Sequence, residues 1–154
     1  MTLLFKIISI DCGWFEVDIN KKFILTNSIY LSCDAPALLL ETLCNLMEDK
    51  IAKEWLCWQD EPSASILQLG KIDGQLVVEI YDTEKESFDL AHSGVTLNEY
   101  ITTCLYSTKD CIEKAAKNIL MEFELYESGI GRERYIENWS EFPKQYYRLE
   151  KLLM

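Results

Sequence analysis

Between residues 54 and 82 the chain reads EWLCWQDEPSASILQLGKIDGQLVVEIYD, three short apolar runs separated by Glu61-Pro62-Ser63 and by Asp73-Gly74. Asp-Gly between alternating runs is a strong hairpin signal, because a type I′ turn needs positive φ at both central residues and glycine accepts it without a steric penalty. Pro62 ends the first run, since proline cannot donate to a strand ladder. The pattern predicts a three-stranded antiparallel meander. In the first strand Trp55 and Cys57 share one face and Leu56 and Trp58 the other, so large apolar groups lie on both sides, as expected of a central, doubly covered strand. In the third, Leu76, Val78 and Ile80 lie opposite Val77, Glu79 and Tyr81, which suits one wetter side.

The flanking segments extend this pattern. Residues 3–10 alternate loosely, with Leu4, Lys6 and Ile8 opposite Leu3, Phe5 and Ile7, and are expected to form a strand buried on much of both faces. Phe15, Val17 and Ile19 alternate cleanly with Trp14, Glu16 and Asp18, and residues 20–22 turn the chain back into residues 23–26. A first helix is predicted over 35–50, capped by Asp34 with Pro36 in its first turn, with Glu41, Asn45, Glu48 and Asp49 towards water. Residues 97–106 suit helix and strand almost equally, since Leu97, Tyr100 and Cys104 share a helical face while Ile101, Thr102 and Thr103 favour extension; helix is the weakly preferred reading. Ser107 and Asp110 resemble a capping pair opening a long helix, with Ile112, Ala115, Ala116, Ile119, Leu120, Phe123 and Tyr126 at helical spacing until Ser128-Gly129. Tyr135, Trp139, Phe142 and Pro143 then sit in an irregular or short helical link to an amphipathic terminal helix carrying Tyr146, Leu149, Leu152 and Leu153. The whole predicts an α+β fold, an antiparallel sheet of hairpins and a meander packed with helices, in a single layered domain over residues 1–154.

At 154 residues the chain suits one such domain, burying roughly two-thirds of the surface of its unfolded form without help from disulfides or metals. Its net charge is −11, and residues 132–154 hold five basic and four acidic side chains, which leaves −12 on residues 1–131. Such a field repels nucleic-acid phosphates and anionic lipid and attracts basic proteins, although solubility alone would also account for it. The six cysteines, at positions 12, 33, 44, 57, 104 and 111, include no Cys-x-x-Cys pair of the kind zinc and thioredoxin-like sites use. Residues 1–10 lack a basic flank and a small-residue cleavage site, so a cytoplasmic location with buried, reduced thiols is expected. No apolar run reaches the roughly twenty residues of a membrane span.

Few residues suggest chemistry. His92 is the single histidine, so Cys-His, Ser-His and His-metal schemes would all depend on it, and a structural or solvated role is the simpler reading. The carboxylates Asp60 and Glu61, and the connection carrying Asp82, Glu84, Glu86 and Asp89, form acidic clusters that are most simply solvated, and DTEKESFDLAHS lacks the glycine and distal Glu of a calcium loop. Glycosidase-type carboxylate pairs carry no local signature and stay open. Gly129-Ile130-Gly131 is too short for a phosphate cradle and suits a helix end. Tyr135, Trp139, Tyr146 and Tyr147 stand among Arg132, Arg134, Lys144 and Arg148, an arrangement read as tail packing, with arginines meeting the acidic body, rather than base stacking.

Trp58 to Pro62 (W-Q-D-E-P), the following Asp-Gly hairpin, and Tyr135-x-x-x-Trp139 with Phe142-Pro143 before a last helix resemble a pattern in small acidic bacterial proteins, among them immunity proteins that neutralise polymorphic or contact-dependent toxins. The resemblance spans residues 54–153. It implies a non-catalytic protein that binds and blocks a partner, and it assigns no functional residue. Combined with the charge, it leads to the expectation of an inhibitory or immunity-type protein without cofactor, metal or catalytic group. Its acidic surface, Asp60, Glu61, Asp82, Glu84, Glu86 and Asp89, would bind a basic protein partner such as a toxin domain, and neither nucleic acid nor membrane. The alternative is a small-molecule-binding domain or an enzyme with a carboxylate-lined site between sheet and helices.

Overall fold

The structure, a computed structural model, describes residues 2–11, 13–29, 33–59, 64–83, 101–127 and 142–154. In chain order these form β1 (Phe5–Asp11), β2 (Trp14–Ile19), β3 (Phe23–Ser28), α1 (Ala35–Met47), β4 (Lys53–Gln59), β5 (Ala64–Ile72), β6 (Gln75–Thr83), β7 (Ile101–Cys111), α2 (Ile112–Glu127) and α3 (Phe142–Leu152). The strands make two open antiparallel sheets, ordered β1-β2-β3 and β4-β5-β6-β7, and the fold is α+β.

Two of the hairpins, β5–β6 and β2–β3, turn where local chemistry allows. Asp73 and Gly74 both have positive φ, 51° and 74°, between the paired ends of β5 and β6. Asn20 and Lys21 do the same at 53° and 57°, and the Lys22 amide donates to the Ile19 carbonyl at 3.0 Å. In β2 the alternation is complete, with Phe15, Val17 and Ile19 buried. β1 is covered on one face rather than two: Leu3, Phe5 and Ile7 are buried, whereas Leu4 and Ile8 are about half exposed. The register with β2 slips between Ile7 and Ser9, so Ile8 is an extra residue that returns Ile10 to the core side.

The meander over β4, β5 and β6 is present, but β4 lies at the edge of its sheet rather than in the centre. Leu56 and Trp58 are buried and Trp55 and Cys57 half-buried, so the two faces are covered unequally. Residues 101–106, read as helix, belong to β7, and the helix expected from Ser107 begins only at Ile112. β6 explains the difference: its far edge is free for a ladder, and β7 pairs along it from Thr83↔Ile101 to Gln75↔Cys111. The amides at the junction of β7 and α2 are then satisfied by other means. Ile112 N–H donates to the Gly74 carbonyl of the β5–β6 turn at 3.0 Å, and the Asp110 carboxylate accepts from Cys111 N–H at 2.8 Å.

α1 starts as its cap predicts, with the Asp34 side chain accepting from Ala37 N–H, and stops at Met47, three residues short of the expected end, ahead of Asp49 at φ 58°. Its polar face is not left to water. α3 packs along α1, and Arg148 donates to Glu48 Oε1 and to Asn45 Oδ1, each at 2.8 Å. Phe142 and Pro143, expected in a link, open α3 itself, and Phe142 is fully buried. Four aromatic rings from four elements tie the layers together. Phe15 of β2 meets Trp58 of β4 edge-on at 5.4 Å and stacks on Phe123 of α2 at 5.8 Å, and Phe123 meets Phe142 of α3 at 6.0 Å. β3 begins beside β7, where Phe23 meets Tyr106 at 5.5 Å, and contacts β4, so it runs across the second sheet. Among the described residues no helix is long and apolar enough to cross a membrane.

Candidate functional site

β1 is an edge strand, and an edge strand presents free amides that invite pairing. Here two carboxylates take amides along this edge: Leu3 N–H, just ahead of β1, donates to Asp110 Oδ2 and Ile7 N–H, within it, to Glu122 Oε1, both at 2.9 Å. The second of these bonds joins α2 to β1 without closing the space between them. A cleft of about 410 Å³ is left, with Leu3 and Leu4 ahead of β1, Phe5 and Lys6 of β1, Asp18 of β2 and Lys21 of the hairpin on one side and Asn118, Met121 and Glu122 of α2 on the other.

Asn20 holds the strand side in place. Its backbone N–H donates to the Leu4 carbonyl at 2.8 Å, its Oδ1 accepts from Leu4 N–H at 2.6 Å, and its amide nitrogen reaches the Tyr106 hydroxyl at 2.9 Å. Lys22 lies over the Tyr106 ring, 5.0 Å from its centre. Asp18 stands directly across the ladder from Lys6, yet its Oδ1 is shielded from solvent and has no hydrogen-bond partner. A shielded carboxylate oxygen without a donor is costly, and it marks the polar side of the cleft.

Two smaller spaces differ in character. One of about 260 Å³ separates α1 from the β4 edge and places Glu41 and Asn45 opposite Glu54 and Trp55. The other, about 20 Å³, lies in the core against Trp58 and is walled by apolar side chains such as Phe5, Leu39 and Ile119. Trp58 Nε1 is itself buried without a hydrogen-bond partner. The volume suits a single water, but the apolar walls offer it little to bind.

The cysteines are less uniformly buried than expected. Cys44 alone of the five described is buried, Cys33 and Cys57 are intermediate, and Cys104 and Cys111 are exposed on β7. Burial in α1 pushes the Cys44 thiol up to about 11, so it stays neutral and unreactive. Glu48 is held below the usual carboxylate range by hydrogen bonds from Arg148 and then Lys50. Tyr81 is raised, first by desolvation and then by Glu79 and Cys104. Among the described residues no group of three His, Cys, Asp or Glu side chains is placed to hold a metal ion.

Of the acidic residues singled out from the sequence, Asp82 lies in β6, while Asp60, Glu61, Glu84, Glu86 and Asp89 lie outside the described residues, as do His92 and the aromatic pair Tyr135 and Trp139. Topology still relates the two acidic segments. Gln59 ends β4 and Thr83 ends β6 at the same end of the sheet, separated only by β5. Adjacent strands lie about 4.8 Å apart, which puts the two departure points on the order of 10 Å from each other. Lys6, Asp18 and Glu122 were not expected at a site. Alternation assigns Lys6 and Asp18 to the outer face of their strands, but nothing local places α2 beside them. The chain matches no protein-family model, no curated protein and no solved structure.

Proposed function

We propose that the chain is a non-catalytic, immunity-type binding protein of the cytoplasm that captures a basic protein partner, such as a toxin domain, through Asp60, Glu61, Asp82, Glu84, Glu86 and Asp89. The reading is carried by the −12 concentrated in residues 1–131 together with the departure of both acidic segments from one end of the four-stranded sheet. The two departure points are about 10 Å apart, and at low ionic strength, where the Debye length reaches about 30 Å, the two segments act on an approaching cation as one field. Rim carboxylates that stay hydrated speed encounter more than they tighten the final complex.

The test begins with the partner that co-purifies with the tagged protein from its own cell. Replacing Asp82, Glu84 and Glu86 by their amides should lower the association rate about ten-fold at low ionic strength, with dissociation and melting temperature nearly unchanged. An association rate indifferent both to salt and to these replacements would leave the acidity with solubility alone and overturn the reading.

The cleft between β1 and α2 favours a second reading, a small-molecule-binding domain or an enzyme. It lies between a sheet and a helix, is lined by the carboxylates Asp18 and Glu122, and has a volume within the usual range of ligand sites. A ligand whose binding perturbs the cleft residues and not the acidic segments would favour this reading over the first.

A further inference from the structure

The cleft differs from the rest of the chain in its charge. Against a net charge of −11 overall, its lining carries two lysines, Lys6 and Lys21, and two carboxylates, Asp18 and Glu122. Neither lysine has an ion-pair partner among the described residues. One oxygen of Asp18 lacks any donor, whereas one oxygen of Glu122 is already used by Ile7 N–H. The rest of the lining includes exposed hydrocarbon: Leu4, next to the start of β1, and Met121 from α2 are 52% and 66% accessible and flank the opening from opposite sides.

We propose that the cleft between β1 and α2 binds a small zwitterion with an apolar body, of the class of the apolar α-amino acids. The assignment rests on the second reading above. A simple anion would satisfy the lysines but face Asp18 and Glu122, and a simple cation would meet the reverse problem. A neutral apolar molecule would cover Leu4 and Met121 and leave the shielded Asp18 oxygen without a donor, at the cost of an unpaired polar group. A zwitterion matches both signs at once. Its ammonium donates to the Asp18 carboxylate, its carboxylate accepts from Lys6 and Lys21, and its side chain lies between Leu4 and Met121. Charge-assisted hydrogen bonds of this kind are the strong ones. The soft terminal torsion of an aspartate lets either oxygen turn to the ligand.

The experiment uses the whole 154-residue chain, isotope-labelled and followed by amide chemical shifts, with three probes: leucine, N-acetyl-leucine without the ammonium, and leucine amide without the carboxylate. Leucine should give saturable shifts confined to residues 3–6, 18–21 and 118–122, and each blocked probe should bind at least about ten-fold more weakly, the equivalent of about 1.4 kcal/mol. Asp18→Asn should weaken leucine about ten-fold while leaving N-acetyl-leucine unchanged, and Lys21→Met should do the same relative to leucine amide. Both variants keep the size of the side chain, and their unchanged spectra away from the cleft check the fold. Equal binding of all three probes, or leucine binding indifferent to Asp18→Asn, would overturn the zwitterion while leaving the cleft a ligand site. Absence of any shift at the cleft with every probe would remove both the zwitterion and the second reading.

Discussion

The two sheets follow the same two-residue alternation but differ in what becomes of their outward side chains. Along the three-stranded sheet Leu4, Ile8 and Trp14 remain about half exposed and Ile24 more so. On the four-stranded sheet Ile66, opposite Cys57 and Tyr81 and facing away from the main core, is fully buried; Gln68 is nearly so, and the Trp55 ring meets Tyr81 edge-on at 5.1 Å. Alternation decides which residues share a side. Whether that side is then covered depends on what packs over it, and the two sheets have different outcomes from one rule.

The largest effect should come from the inner face of β4. Trp58→Ala removes a buried ring that touches Phe15 and should cost about 3–5 kcal/mol in chemical denaturation. Next is the joint between the sheets. Asp110 is buried and accepts from Leu3 N–H, so Asp110→Ala leaves that amide orphaned and should cost about 3 kcal/mol, with Asp110→Asn recovering part of the loss by keeping an acceptor. A cost near zero for Asp110→Ala would mean that β1 is not tied to β7 through this carboxylate.

On the outer face of β4, Trp55→Ala loses a half-buried ring and one aromatic contact and should cost about 1–2 kcal/mol. A cost equal to that of Trp58→Ala would erase the distinction between the faces and make the outer one a second core. The smallest effect belongs to the open face of the first sheet: Ile24→Thr, at a residue 62% exposed, should change stability by no more than about 0.5 kcal/mol. A loss several times larger would show that this face is covered after all.

Much of the local architecture could be read from the residues. Asp73-Gly74 and the strands on either side of it are where the alternation puts them, Asp34 caps α1, and Ile112, Ala115, Ala116, Ile119 and Phe123 form the buried stripe of α2. Ser107 and Asp110 misled because their spacing fits a cap equally well whether or not a strand edge is waiting. β6 supplied that edge, and eleven residues went into the ladder. The expectation that β1 is buried on both faces failed for a similar reason, since what covers a face, and the inserted Ile8 that returns Ile10 to the core, are visible only in the register with β2 and the packing around it. The acidic segments were evident as composition, whereas the cleft was not, because Lys6 and Glu122 are 116 positions apart in the chain.

By itself the sequence determined the turns, the sides of the strands and the stripes of the helices, since these depend on the φ preferences of one or two residues and on the spacing of near neighbours. Only the tertiary structure decided that residues 101–111 are a strand, that β4 is an edge, and that two carboxylates from α2 and β7 close the free edge of β1. Each of these outcomes is set by hydrogen bonds and burial between segments distant in the chain. Such interactions exceed the fraction of a kcal/mol per residue by which local propensity separates helix from strand.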